Sequence, residues 1–464
     1  MAPVPSPEDP SMPGTVTTGS ARWQRGRRVV AGAGVAFATA AEPGEAARSD
    51  LAGQGYLPAL DGLRAVAVLL VVASHAGLER AVPGGLGVTV FFAVSGFLIT
   101  RQIVAQHRRD GRVGLGRFYR RRLLRLVPAW LAYVALAGGA FVLAGGWIGV
   151  GGWAAALGQG SNYYQLASGY RSVLPGVRHP FNILWSLAVE DHFYLLWPVA
   201  LLACLARGRL GWALGLCLAA CALVLAWRLW LLGDCFAPRP GVWACLRIEA
   251  NPAFRYNRLY LATDTRLDSI AWGAVPALLL AMRPAWGARL AAARALPALA
   301  LGVLAASLAL GSAWAATLPG EAGAVLGGPT GREALRTTVQ GAALAVLVPA
   351  VALTTHRWRR ALEGRAALAV GRASYSIYLW HWGAFALADG LAARGSAAWV
   401  ALALPMAAGL SAASFLGVER PMLRARRRAG SHASGGSGRH GQEASKVEAL
   451  PQTPPKARLW NPLV

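Results

Sequence analysis

Charge is scarce in this sequence. Only 14% of its 464 residues are Asp, Glu, Lys or Arg, against about 25% in an ordinary soluble domain. Hydrophobic residues make up 55%, which excludes a large soluble core as the architecture. Lysine is almost missing, at Lys446 and Lys456 only, so arginine carries nearly all of a formal net charge of +25. A polyanion binder gathers such charge in one basic domain. Here the arginines sit in short segments between apolar runs, where the cytoplasmic loops of membrane proteins collect them, so no nucleic-acid partner is expected. Cysteine is sparse too. The five present show no metal-ligand spacing, so no metal site is expected. Cys204, Cys217 and Cys221 fall in apolar stretches and read as packing. Cys235 and Cys245 share a loop with nine residues between them. They are candidates for a loop-closing disulfide, the alternative being two free thiols.

What the sequence has in abundance is apolar runs near the length that crosses a bilayer. They fall at residues 65–82, 86–104, 126–147, 185–204, 211–232, 266–282, 295–315, 337–355, 371–390 and 397–417. Every even-numbered run is followed by arginines: Arg101–Arg125, Arg207 and Arg209, Arg283–Arg294, Arg357–Arg372 and Arg420–Arg428. The opposite connections hold far fewer. This alternation predicts an all-α integral membrane protein, multi-pass in the cytoplasmic membrane. About ten transmembrane helices are expected, with both termini inside (N-in/C-in).

Residues 1–55 and 425–464 are polar and rich in Gly, Ser and Pro or Ala, and are expected to be disordered tails around a transmembrane domain at 56–424. Arg22–Arg28 followed by Val29–Ala41 mimics a secretory signal. The apolar stretch is short, and cleavage there would place the next helix start outside, against the charge pattern. Two outer segments are long, about 148–184 and 233–265. Trp147, Trp153, Tyr163, Tyr164 and Tyr170 near the first suit either the headgroup layer or a substrate platform. There is no internal repeat.

Several polar residues interrupt the apolar runs. Arg64 and His75 are eleven residues apart, nearly three helical turns. They therefore share one face about 16 Å apart along the axis. An ionisable group within a span costs on the order of 2.5–3.5 kcal/mol on insertion scales, so His75 is expected to face a polar cavity; the bland alternative is a neutral His bonded between helices. In Trp185–Pro198, Glu190, Tyr194 and Trp197 share a face. Glu190 is expected to point inward, and Asp191 and His192 to meet the interface as solvated groups. Arg122 and Arg125 are i, i+3 neighbours at a helix start, a spacing suited to phosphate, whereas Arg120 and Arg121 read as plain anchors. Asp61, Tyr194, Arg266, Asp268, Tyr378 and His381 are further candidates for lining a cavity. Tyr375, Tyr378 and Trp382 fit packing or an aromatic belt equally well. Ser95 and Gly96 read as a close-packing site, with no Gly-x-Ser-x-Gly elbow to make Ser95 a nucleophile.

Taken in order, these segments resemble the acyltransferase 3 family of membrane-bound O-acyltransferases. The matching stretches are Leu60-Asp-Gly-Leu-Arg64 with Arg-x10-His ending at His75, Gly87-Val-x-Val-Phe-Phe-x-x-Ser95-Gly-Phe-Leu, Phe118-Tyr-Arg-Arg-Arg-Leu-Leu-Arg125-x-x-Pro128 and Trp185-Ser-Leu-x-Val-Glu190. Later matches lie at Asp264–Asp268, Ser374–His381 and Glu419-Arg-Pro421. The resemblance implies a ten-helix core. It also implies acyl-CoA, with acetyl-CoA expected, as a cytoplasmic donor substrate and no tightly bound cofactor. The acceptor class it implies is a hydroxyl of a cell-envelope glycan, glycolipid or secondary metabolite. It makes His75 the essential catalytic residue and associates Arg64, Arg122 and Arg125 with the donor. Glu190-Asp191-His192 departs from the Glu-Glu-Gln many members carry, which leaves the roles of Asp191 and His192 open. Some members have a second, extracytoplasmic acyl-transfer domain; none is expected here.

The expected mechanism has the three arginines holding the donor's phosphates at the inner mouth, with the pantetheine arm running up the first helix. His75 acts as general base, and Glu190 orients it or holds the acceptor. An acyl-His intermediate is an open variant. The competing class is a transporter or flippase for a lipid-linked sugar, which has no use for a thioester donor.

Overall fold

The computed structural model describes residues 55–79, 81–167, 170–235, 252–293, 295–313, 329–354, 357 and 359–424. The expected tails fall outside the described residues, apart from Gly55, and so does the Cys235–Cys245 pairing. Among the described residues there are helices and no strand.

Helix α1, Pro58–Ala73, starts on a proline whose missing N–H would be unpaired in a first turn anyway. It runs into a π turn at Ser74–Leu78 that contains Gly77 at φ 104°. Helix α2, Gly84–Asp110, stops at Gly111, which takes the left-handed cap conformation. Helix α3, Leu115–Leu143, begins well before its apolar run, so Arg117–Arg125 lie on the helix. Short helices α4 (Val150–Leu157) and α5 (Ser161–Ala167) and a 3-10 turn at Pro180–Leu184 lead into α6, Trp185–Ala206. Then follow α7 (Leu210–Cys235), α8 (Pro252–Leu261), α9 (Thr263–Met282), α10 (Ala285–Ala292), α11 (Ala295–Ala313) and α12 (Pro329–Leu353). Last come α13 (Arg359–Leu362), α14 (Arg365–Arg372), α15 (Ser374–Asp389) and α16 (Ala397–Ser414).

Among the described residues each of the ten predicted runs is mainly helical, but ten is not the number that meets the requirements of a simple span. Among the described residues, seven helices are long and apolar enough, or up to eight if the bent pair α10 and α11 is one broken span. Helix α9 falls short because Asp264, Arg266 and Asp268 occupy its first turns. Helix α15 has 16 residues, about 24 Å, against a hydrocarbon core of about 30 Å. Both are tolerated because most of their side chains are buried against other helices.

Glycines set the closest approaches. A Cβ on Gly96 of α2 would sit 2.0 Å from the Ile270 carbonyl oxygen, and one on Gly273 of α9 would sit 2.0 Å from that of Ala93. The two backbones therefore touch, as the small residues at 95 and 96 suggested. Gly62 of α1 and Gly371 of α14 play the same part, against the backbones of Leu362 and Asp61. Large apolar side chains point away from the bundle at Leu69, Leu136, Leu143, Leu196, Trp212, Leu223 and Leu299. So much exposed apolar surface on several helices requires lipid, not water. The chain is a multi-pass membrane protein.

Candidate active site

His75 lies in the π turn, the kind of helix irregularity that recurs at functional sites. Its Nδ1 is 3.0 Å from Nε2 of His381 on α15, and the two rings are stacked within 4° of parallel. Nδ1 of His381 is 2.9 Å from the carbonyl oxygen of Ile377. That contact orders the protons of the neutral pair. A carbonyl can only accept, so His381 Nδ1–H donates to it and His381 Nε2 is left as an acceptor. His75 Nδ1–H must then donate to His381, which leaves the His75 Nε2 lone pair unprotonated. Trp382 meets the His75 ring edge-on at 4.8 Å and donates its indole N–H to the His179 carbonyl at 2.9 Å.

His381 also borders a cavity of about 880 Å³ between α1, α3, α14, α15 and α16. Its lining runs from Arg372, Arg420 and Arg424 at one end of the helices to Val72, His381 and Leu404 at the other, with Arg125 and Glu419 between them. The walls are mostly apolar, and the lining carries four guanidinium groups, those of Arg125, Arg372, Arg420 and Arg424.

A second, small cavity of about 50 Å³ lies between α1, α2, α6 and α15, where Arg64, Ser95, Ser186, Glu190, Tyr375 and Tyr378 meet. Glu190 accepts hydrogen bonds from Ser95 and from Tyr194. Arg122 is 4.0 Å from the same carboxylate and lies over the face of Tyr194. Tyr378 shares a 2.5 Å hydrogen bond with Ser186. Asp61 is fully buried beside the Arg-rich end, hydrogen-bonded by Tyr56. Tyr56 in turn accepts from Arg372 at 3.4 Å. Burial and the neighbouring Asp61 carboxylate push the Tyr56 phenol up to about 12, so it stays a hydrogen-bond donor to that acid.

Several expectations need correcting. Arg64, Arg122 and Arg125 do not all line one cavity. Arg125 lines the large cavity, Arg64 lines the small one, and Arg122 is held by Glu190 and Tyr194. Glu190 makes no hydrogen bond to His75; the partner is His381. Asp61, Tyr194, Arg266 and Asp268 border neither cavity. Arg266 and Asp268 belong to a buried ion network instead. Asp268 pairs with Arg228 and accepts from Thr338 at 3.0 Å, while Arg266 is 3.7 Å from Glu333. Such charges neutralise one another because each would be costly alone in the bundle. His192 is half-buried, and its Nδ1 lies 2.7 Å from the Thr263 hydroxyl. Ser95 packs closely but also donates to Glu190. Tyr375, Tyr378 and Trp382 all hydrogen-bond within the bundle, in keeping with the packing reading.

Residues missed in the sequence are Arg228, Glu333 and the pair Arg178 and His179. Arg228 stands alone in a run of Leu, Ala and Trp, and that isolation was the available signal. Arg178 was marked by lying on the Arg-poor side. His179 packs between Phe141, Tyr170 and Phe181, and its Nδ1 accepts the Phe181 N–H at 3.2 Å. Burial pushes its imidazole down to about 4, so it remains neutral and able to accept.

Comparison with known proteins bears on the same region. The acyltransferase domain family matches residues 57–416. The peptidoglycan O-acetyltransferase OatA of Listeria monocytogenes serovar 1/2a is 32% identical over 167 residues, covering 32% of this chain and 24% of that protein. The O-acetyltransferase OatA of Staphylococcus aureus is 33% identical over 153 residues, covering 32% of this chain and 25% of that protein. Alignments to the curated relatives thus span about a third or less of their length. No solved structure matches.

Proposed function

This chain belongs to the acyltransferase 3 family, and we propose that it moves an acetyl group from acetyl-CoA to a hydroxyl of a cell-envelope glycan. The observation that carries the reading is the 3.0 Å contact of His75 Nδ1 with His381, which borders a cavity with an arginine-lined end. His75 Nε2 is the base. It takes the acceptor hydroxyl proton as that oxygen bonds to the thioester carbonyl carbon. The C–S bond then breaks, CoA leaves as thiolate, and the imidazolium returns a proton to the sulfur. The Nδ1–H to His381 bond holds the ring in one tautomer and stabilises the imidazolium while it exists.

The donor occupies the large cavity. Arg125, Arg372, Arg420 and Arg424 suit the phosphates, and the apolar walls suit the pantetheine arm that brings the thioester toward His381 and His75. In this reading the Arg-rich helix ends face the cytoplasm, where acetyl-CoA is available, and the protein sits in the cytoplasmic membrane. A glycan acceptor is supported by the relatives named for O-acetyl transfer, one of them to peptidoglycan. The small cavity at Glu190 is too small for a sugar, so Glu190 serves to hold Arg122, Ser95 and Tyr194 in place.

The test is thiol release from acetyl-CoA by the full chain in proteoliposomes, with and without peptidoglycan fragments or envelope glycans. The expected result is release that depends on an acceptor and yields O-acetylated sugar by mass spectrometry. Movement of a lipid-linked sugar across the bilayer with no consumption of acetyl-CoA would replace this reading with the transporter.

A further inference from the structure

Arg178 lies on the segment between α5 and the 3-10 turn, on the Arg-poor side, and nothing in the reaction so far requires it. It is nevertheless 9% exposed and tied into the site from several directions. Its Nη1 donates to the backbone carbonyl of His75 at 3.3 Å. Its Nε and backbone N–H donate to Asp389 at 2.8 and 3.2 Å. Its guanidinium lies 4.8 Å from the centre of the Trp382 ring, the ring that meets His75 edge-on.

Asp389 is itself fixed. Its side chain is fully buried at the end of α15 and also accepts from the Trp399 indole at 3.0 Å and from Arg394 at 2.9 Å. Trp399 has no exposed surface. The clamp therefore rests on two helices, α15 and α16, and reaches a third.

The reason His75 needs such a clamp is local. A π turn and a glycine at positive φ interrupt the regular ladder around it, and carbonyls in such a turn lack the usual helical partners. An unrestrained turn would let the imidazole wander, because the contacts of the ring with His381 and Trp382 do not hold the backbone that carries it. Arg178 supplies the second restraint on the backbone, and through Trp382 a third on the ring.

We propose that Arg178, held by Asp389, is a positioning residue for His75, setting the direction of its Nε2 lone pair toward the acceptor hydroxyl. The proposal rests on the reading of His75 as general base. It also makes the outer segment that bears Arg178 part of the catalytic geometry: a shift of that segment is transmitted directly to the base.

The experiment compares wild type with Arg178→Met, Arg178→Lys and Asp389→Asn in proteoliposomes, with folded yield and thermal stability measured alongside. A misplacement near 1 Å costs up to about a hundredfold, so Arg178→Met is expected to lower kcat by about tenfold to a hundredfold. KM for acetyl-CoA should stay unchanged, because the arginines of the donor cavity are untouched. Arg178→Lys, which keeps one donor and the charge, should recover part of the loss. Asp389→Asn keeps the packing while loosening the clamp, and should lower kcat in the same direction even if Arg178→Met fails to fold. Wild-type kcat in Asp389→Asn or Arg178→Met overturns the proposal. So does a rise in KM at constant kcat, or a loss of activity that only tracks loss of folded protein. If the wild-type protein itself consumes no acetyl-CoA, the functional reading falls first, and this role with it.

Discussion

His75 and His381 are separated by 306 positions in the chain and 3.0 Å in space. His75 announced itself, because a histidine eleven residues from Arg64 in an apolar run is costly and regular in phase. His381 stood out only as a polar group in a helix, since the phase of one helix carries no information about which other helix it faces. The arginines illustrate the same limit. Arg122 and Arg125 are alike in spacing, yet one is turned to Glu190 and the other to the large cavity. This separation predicts different phenotypes. Arg125→Ala removes a charged hydrogen-bond donor worth roughly 1.5–3 kcal/mol, and should raise KM for acetyl-CoA about tenfold to a hundredfold. Arg122→Ala should leave KM nearly unchanged and instead reduce folded protein, because it removes the cation beside the Glu190 carboxylate and leaves that charge to the Ser95 and Tyr194 hydroxyls. Steady-state kinetics with quantified protein distinguishes them; a matching KM rise in both would restore the single cluster.

At the scale of elements, each apolar run marked a stretch that is mainly helix among the described residues, but seven of those helices, or up to eight with the bent pair, are long and apolar enough to cross a membrane. What the runs could not reveal was where a helix starts among charged residues, as in α3, or that α9 and α15 survive with charge or shortness because other helices cover them. The buried network of Arg228, Asp268, Arg266 and Glu333 was invisible for the same reason: half of its members look like errors in a hydrophobic segment until their partners are placed. The α2–α9 contact is the most demanding interface. Gly96→Ala places a methyl against a carbonyl oxygen and should destabilise by about 1–3 kcal/mol. The control Gly215→Ala meets nothing within 4 Å and should be neutral. Thermal unfolding in detergent by size-exclusion fluorescence reads the difference, and equal stability would refute backbone contact. The 3-10 turn carries a pH dependence. His179 titrates at about 4 when folded against 6.5 ordinarily. Between those values the unfolded chain binds the proton and the folded one does not, so stability rises with pH in that window. Acidification from 6.5 to 4 should therefore cost no more than about 3.4 kcal/mol. His179→Gln should flatten that profile, and an unchanged slope would assign the acid sensitivity elsewhere.

At the scale of the whole molecule, the topology expected from the arginine alternation has both ends of the described bundle on one face of the membrane. Reporter fusions after Arg109 and Arg360 should read cytoplasmic, and one near Ser161 external; a single reversed reading breaks the arrangement on which donor access depends. The central claim joins that arrangement to one nitrogen atom: acetyl-CoA enters from the Arg-rich side, and His75 Nε2 does the chemistry. The direct measurement is acceptor-dependent transfer of labelled acetyl from acetyl-CoA in proteoliposomes by wild type and by His75→Ala, with donor binding measured on the same preparations. A positioned general base contributes about a hundredfold to ten-thousandfold. His75→Ala is therefore predicted to lose transfer by at least that lower factor while still binding acetyl-CoA, and transfer at the wild-type rate in His75→Ala would contradict the account.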